Sequence, residues 1–306
     1  FGTAVNGAKR WIYIGSFSVQ PAEFAKICSV MIEAYYLSYC IQKRQAFKLI
    51  QSQHGTLVVL AALVELEPDM GTMMIILGVP LLMLIVAGLD MGKIKNLIFI
   101  VVAAATALCI YQPYRLQRIK VMLDPWADAQ GMGYQTVQSI TAIGSGGFWG
   151  MGLGEGLAKY AYLPEAHTDF AFAVFCQENG FLLAAGLIIL YGLLGYFGAK
   201  IAKNAYDAYG QVLAGGLVVL ICLQAVVNVV MVSGFLPVIG VPLPFISYGG
   251  CSLLVSMAAL GILVNINRYS LIKQRKMEKL TEHNLANRQK PMRLMPGQRP
   301  KLTRIK

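Results

Sequence analysis

Seven apolar stretches organise this chain, at about residues 21–41, 55–67, 71–89, 95–111, 170–199, 211–233 and 245–266. Most approach the roughly 20 residues that a helix needs to cross about 30 Å of hydrocarbon. Charged residues make up only 13% of the sequence, against about 25% in ordinary soluble domains. A chain so poor in charge cannot cover its own surface with polar groups. The expected fold class is therefore an all-α polytopic membrane protein, a multi-span helical bundle. The 55–67 run is short for a span. The 170–199 run is too long and is broken by Glu178-Asn179-Gly180, so 181–199 reads as most of a crossing and 169–177 as an approach partly outside the membrane.

The charge that is present is unevenly placed. The formal net charge is +11, and residues 268–306 alone hold twelve Lys/Arg against two acids, Glu278 and Glu282. The chain thus divides into a membrane-embedded part, 1–267, and a basic tail, 268–306, expected to be flexible, cytoplasmic and in contact with anionic lipid. The tail's cations are not interleaved with a run of aromatics and directly follow a span, which argues against nucleic acid as a partner. Alternate loops carry Lys43, Arg44 and Lys48, then Lys93 and Lys95, then Lys200 and Lys203, then the tail. This alternation holds only if all seven spans are real. It puts the start of the chain on the outer face, with residues expected upstream of Phe1. Lys9, Arg10, Arg115, Arg118 and Lys120 fall on the outer face, against the usual bias. Either they meet lipid headgroups and local acids, or they hold an anionic substrate at the interface. The six cysteines lie in or beside apolar runs without a CxxC pair and read as small apolar packers.

Residues 112–168 form an outer loop far longer than the others, with enough aromatics to be structured and an apolar patch, Val137 to Ile143, suited to a helix at the interface. Its glycines serve either tight turns or close approach to a ligand. At its end stand Glu165, His167 and Asp169, three titratable groups within five residues. They are candidates for acid/base work. An N-cap cluster, with Thr168 or Asp169 receiving free helix N–H groups, explains the same residues, and spacing alone leaves both readings open. Glu65, Glu67 and Asp69 lie at an outer turn, and Glu23 and Lys26 share a face in the first turns of the first span.

Seven ordered blocks resemble the SEDS family of cell-wall proteins (FtsW, RodA, SpoVE). They are Asn6 to Ile12, Gln20 to Lys26, Glu67 to Thr72, Pro113 to Arg118, Asp124 to Trp126 with Gly133 to Gln135, Leu163 to Phe170, and Leu243 to Gly250. Val5 to Gly7, Asp124 to Trp126 and Glu165 to His167 look more like the FtsW/SpoVE branch than RodA. Gln177 to Gly180 departs from the family, which usually carries two glutamates and a leucine there. The resemblance implies ten spans, of which seven are here and three precede Phe1. It implies a peptidoglycan glycosyltransferase that polymerises lipid II in the bacterial cytoplasmic membrane. Its expected partners are a class B penicillin-binding protein and other division or elongation proteins. It places the catalytic aspartate at Asp169, with supporting roles for Arg10, Glu23, Lys26, Asp69 and Gln135. Lys9, Arg115, Arg118, Glu165, His167 and Ser247 complete the expected substrate-binding set. No closed metal cage is visible in the sequence, so a Mg or Mn ion would be shared with the substrate pyrophosphate. A lipid-precursor flippase and a non-catalytic division scaffold are the rival readings. Few charges within the spans, and acids gathered at one face, favour interfacial chemistry over transport.

Overall fold

A computed structural model describes residues 3–5, 8–15, 17–48, 52–90, 92–96, 99, 113–160 and 163–288. The expected span at 95–111 lies almost wholly outside the described residues. Eight helices are described from end to end: α1 (Pro21–Lys43), α2 (Ser52–Leu66), α3 (Met70–Val86), α4 (Pro113–Leu123), α5 (Tyr134–Ser145), α6 (Ala171–Lys203), α7 (Ala208–Val232) and α8 (Gly250–Arg288). Four of them, α1, α6, α7 and α8, are long and apolar enough to cross a membrane, and α2 and α3 are shorter apolar helices. The polytopic helical class holds. Two departures stand out. The first described residues form an antiparallel three-stranded meander of β1 (Thr3–Val5), β2 (Ala8–Ile14) and β3 (Phe17–Val19), in a segment read only as a polar outer start. Trp11, Ile12, Tyr13 and Ile14 favour a pleated strand, but the stretch is too brief for its alternation to register. In addition, α8 starts later than the expected 245 and runs past 267 to Arg288, so much of the basic segment is helical.

The helix ends follow local chemistry. Pro21 opens α1, with Glu23 in its first turn and Lys43 in its last, each matching the macrodipole. Asp69 caps α3 by accepting from the Thr72 N–H at 3.0 Å, and Asp207 caps α7 through the Gly210 N–H at 3.0 Å. The loops expected on one side of the membrane do meet. Lys93 Nζ donates to the Phe47 carbonyl at 3.2 Å, and Gln274 Nε2 donates to the Asn204 carbonyl at 3.3 Å.

Two apolar cores lie side by side. One joins α1, α3, α7 and α8 around Val30, Leu37, Val79, Leu217 and Ala259. The other joins α5, α6, α7 and the segment before α8 around Ala142, Phe170, Cys176, Met231 and Leu243. An ionisable residue does lie within a span: Glu33 in α1 is fully buried, its Oε2 3.3 Å from His54 Nε2 of α2. The apolar periodicity around Glu33 concealed it.

The break in α6 falls where the sequence placed it. Gly180 has φ 72° and ψ −176°, outside helical geometry. Backbone polar groups freed at such a break need partners. The glycine-rich loop supplies them. Phe181 N–H donates to the Gly147 carbonyl at 2.9 Å, Met151 N–H to the Gln177 carbonyl at 3.0 Å, and Gly152 N–H to the Glu178 carbonyl at 3.1 Å. The loop glycines therefore serve close backbone approach to another helix. Gln177 holds the same junction, its Oε1 accepting from the Ala158 N–H at 2.9 Å and its Nε2 donating to Ser145 Oγ at 3.0 Å. A glutamate there would lack the amide donor.

A Cβ at Gly180 would collide with the Gly150 nitrogen and would need the left-handed region. Gly180→Ala should lower stability by about 2–4 kcal/mol, combining backbone strain and overpacking. Gly186→Ala, in open space on the same helix, should stay within about 0.5 kcal/mol of the parent. Thermal unfolding in detergent checks this, and equal midpoints for the two variants would show that the close approach at Gly180 does not need glycine.

Candidate active site

A cavity of about 590 Å³ opens at the end of the bundle where the β-meander, the α2–α3 turn and the outer loop converge. Asp169 is set on its wall one residue ahead of Phe170, whose ring is 1% exposed in the second core and fixes the entry to α6. The cap reading fails on geometry. Among the described residues neither Thr168 nor Asp169 gives its side chain to an α6 N–H; Thr168 Oγ1 turns back to donate to Glu165 Oε2 at 2.8 Å. The Asp169 carboxyl is instead raised from 3.8 to about 6. Burial is the largest cause, followed by the charges of Glu165 and Asp69, with Arg10 and Arg118 opposing. Such a group is ionised at neutral pH, yet much more basic than an ordinary aspartate.

Both cations on the wall are tethered through backbone. Arg10 donates Nε to the Glu67 carbonyl at 2.6 Å and a terminal nitrogen to the Pro68 carbonyl at 2.5 Å, which joins the β-meander to the α2–α3 turn. Arg118 of α4 reaches across to the Val238 carbonyl. A guanidinium offers five donors in a planar fork, a geometry that matches phosphate and carboxylate oxygens. Asp69 combines duties: its Oδ1 caps α3, and its Oδ2 accepts from Gln20 Nε2 at 3.4 Å on the cavity side. Burial and the Asp69 charge push the Glu67 carboxyl up, against Arg10. Gly240 stands opposite Asp169 with φ 68°; a Cβ there would crowd Asp169 Oδ2 at 3.3 Å, so glycine keeps the carboxylate accessible.

The family model described as cell cycle protein, for FtsW, RodA and SpoVE, matches residues 1–272. The chain belongs to this family. It is 37% identical over 270 residues to stage V sporulation protein E of Bacillus subtilis (strain 168), covering 88% of this chain and 74% of that one. It is 41% identical over 271 residues to the probable peptidoglycan glycosyltransferase FtsW of Trichlorobacter lovleyi, covering 87% and 70%. Among solved structures it resembles a chain from work on the structural coordination of polymerization and crosslinking by a peptidoglycan synthase complex (TM-score 0.71, 26% identity, 88% and 76% covered). It also resembles the rod shape determining protein RodA of Thermus thermophilus (TM-score 0.58, 26% identity, 87% and 71% covered).

Within this family frame, Arg10, Glu23, Asp69, Arg118, Gln135, Glu165 and Asp169 line the one cavity, although they come from six separate stretches of sequence. Lys26 does not line it. It is buried beneath, with Nζ 2.8 Å from Glu23 Oε1, so it neutralises the floor without touching a ligand. Ser247 is corrected: it is buried, and its Oγ accepts from the Leu243 N–H at 2.7 Å to close its own turn. His167 is also corrected. Its carbonyl accepts from the Tyr248 N–H at 2.8 Å, and the residue lines a neighbouring groove. The side chains of Lys9 and Arg115 lie outside the described residues. Asp124, inside a matching block, and Asp128, just after it, fold their own turn by accepting from the Trp126 and Met132 N–H groups at 3.2 and 2.9 Å. Among the described residues no three His, Cys, Asp or Glu groups converge to hold a metal ion. A divalent ion at this wall would need substrate oxygens to complete its shell.

Two residues that were not singled out in the sequence also serve the site: Gln224 and Asn228, amides within the apolar run of α7, 4% and 0% exposed. A pair of amides four apart in a span was the available signal.

Because the folded pKa of Asp169 lies above its unfolded value, its ionisation disfavours the fold. The penalty is absent below about pH 4 and fully present above about 6. Asp169→Asn should therefore raise stability at pH 7.5 by about 1–3 kcal/mol, the gap closing as pH falls towards 4. Thermal midpoints across that range test it; no gap at pH 7.5 would mean the carboxyl is not perturbed.

Proposed function

We propose that the chain is a peptidoglycan glycosyltransferase that polymerises lipid II, with Asp169 as general base. The observation that carries this reading is the pairing, on one cavity wall, of a partly buried carboxylate raised to about 6 with two tethered guanidinium groups. The acceptor is the C4 hydroxyl of one lipid-linked disaccharide. Its oxygen bonds to the anomeric carbon of a second, and that carbon's bond to the pyrophosphate oxygen breaks. The hydroxyl proton passes to the Asp169 carboxylate, and the bonding pair leaves with undecaprenyl pyrophosphate. A base needs to be ionised yet close in pKa to the working pH, which suits Asp169. Charge developing on the leaving group calls for fixed cations, which suits Arg10 and Arg118. Asp69, Glu23, Gln135 and Glu165 offer acceptors and donors for sugar hydroxyls.

The names of the relatives support the same activity, and FtsW and SpoVE among them favour a role in division or sporulation. The likeness to a chain of a peptidoglycan synthase complex supports a class B penicillin-binding protein as partner. The basic C-terminal segment supports a cytoplasmic end for α8, with the cavity on the outer face. The buried Glu33–His54 contact favours transport, since ionisable residues buried within spans often mark the paths of carriers.

Polymer formation from lipid II by the purified protein with its penicillin-binding partner decides between these readings. Asp169→Asn should lower the rate by at least about 100-fold, the lower end expected for loss of a general base, while membrane insertion is unchanged. Full glycan synthesis by that variant would overturn the assignment. Translocation of lipid II without any polymer would favour the flippase.

A further inference from the structure

Between α7 and α8 the chain runs irregularly through residues 233–249, beside both cores. Backbone without helical hydrogen bonding is tolerated at such depth only where something else satisfies it. Here side chains from other elements donate to successive carbonyls. Arg118 takes Val238, Asn228 takes Val241 at 2.7 Å, Gln224 takes Pro242 at 3.2 Å, and the Tyr191 hydroxyl takes Pro244.

Two of these grips differ from the others, because each amide also bonds a residue at or beneath the cavity wall. Asn228 Nδ2 donates a second bond, at 2.8 Å, to the main-chain carbonyl of Asp169 itself. Gln224 Oε1 accepts from Lys26 Nζ at 3.4 Å, and Lys26 in turn holds Glu23. The two amides are one helical turn apart on α7, so they share a face. They grip adjacent carbonyls, Val241 and Pro242, immediately after Gly240, which faces Asp169 Oδ2. The orientation of Asn228 is fixed, because a flipped amide would set its oxygen against two carbonyl oxygens. Its Oδ1 is then left buried without a partner. Satisfying one loop carbonyl does not require that arrangement. Joining two segments through one NH₂ group does.

We infer that Asn228 and Gln224 are positioning residues, an amide ladder that fixes Asp169 and the Lys26–Glu23 floor in one register by clamping both to the 240–242 segment. The inference rests on Asp169 being the base. Neither amide touches substrate. Asn228 acts through the Asp169 backbone, and Gln224 acts through Lys26. Loosening the upper rung would let Asp169 move and gain solvent, which lowers its pKa as well as misplacing it.

The experiment compares the full chain with Asn228→Ala, Asn228→Ser, Gln224→Ala and Asp169→Asn, each with the penicillin-binding partner, in lipid II polymerisation across pH 4.5–8.5. Asn228→Ala should lose 10- to 100-fold in kcat with KM changed less than threefold, and the acid limb of its kcat profile should move to lower pH. Asn228→Ser keeps one donor and should fall between this variant and the parent, which covers the case where alanine does not fold. Gln224→Ala should lose about threefold to tenfold with a smaller movement of the limb. Thermal midpoints separate positioning from scaffolding. A lower kcat with a lowered midpoint and an unmoved acid limb would make Asn228 a structural clamp and overturn the inference, as would a kcat and limb within twofold of the parent while Asp169→Asn is dead. An active Asp169→Asn variant would overturn both this inference and the base assignment.

Discussion

Unpaired carbonyls are the constraint from which the site is built. Hydrocarbon offers no water to an exposed C=O, so every departure from helix near the membrane must bring its own donors. Among the described residues the chain departs in this way at Gly180 within α6 and along 233–249 between α7 and α8. The two solutions differ. At Gly180 the partners are backbone groups of a glycine-rich loop, and the result is a rigid junction between the outer loop and a spanning helix. Along 233–249 the partners are side chains, and three elements, α4, α6 and α7, are tied to one strip of backbone. The cavity lies where those ties meet. Its position follows from the need to satisfy irregular backbone as much as from the residues that line it.

This explains why the sequence disclosed some parts of the site and hid others. Cations on the outer face stood out because Arg10 and Arg118 break a charge bias that ordinary loops obey. Asp169 stood out as a carboxylate at the mouth of an apolar run, although spacing could not separate a cap from a base. Removing the cap reading needed the orientation of the side chains at the α6 entry, set by Phe170 and the turn before it. Ser247 and His167 looked equally suited by type. They turned out to complete a turn and to line a neighbouring groove because their roles depend on which way a short irregular segment folds back. Gln224 and Asn228 were passed over because two amides in a run of Val, Leu and Ala barely lower its hydropathy. The break at Gly180 was legible, since a Glu-Asn-Gly triplet cannot sit within a uniform span. The meander at the start was not, being too brief for alternation to register. Glu33 was hidden in the same way as the amides, by apolar neighbours on every side.

The wall of the cavity holds more acids than bases among its lining residues, an unexpected balance for a site meant to take a pyrophosphate. The arrangement becomes coherent once each charge is assigned its tether. Arg10 donates to the neutral carbonyls of Glu67 and Pro68, and Arg118 donates to that of Val238. Asp69 is partly discharged by the N-terminus of α3, where the macrodipole favours its negative charge. Glu23 is matched by Lys26 beneath it. Glu165 is the largest charge contribution raising the Asp169 carboxyl, ahead of Asp69.

That residual repulsion has a chemical consequence. A carboxylate beside a guanidinium alone would be held at low pKa and would be a poor base. A carboxylate buried among acids alone would stay protonated at neutral pH and could not accept a proton. Burial and Glu165 push Asp169 up while Arg10 and Arg118 pull it down, and the balance near 6 keeps it ionised with little energy to spare. In the proposed mechanism the cations that stabilise the leaving group are the same ones that hold Asp169 ionised, so the leaving-group side and the base side of the reaction are coupled through one carboxyl.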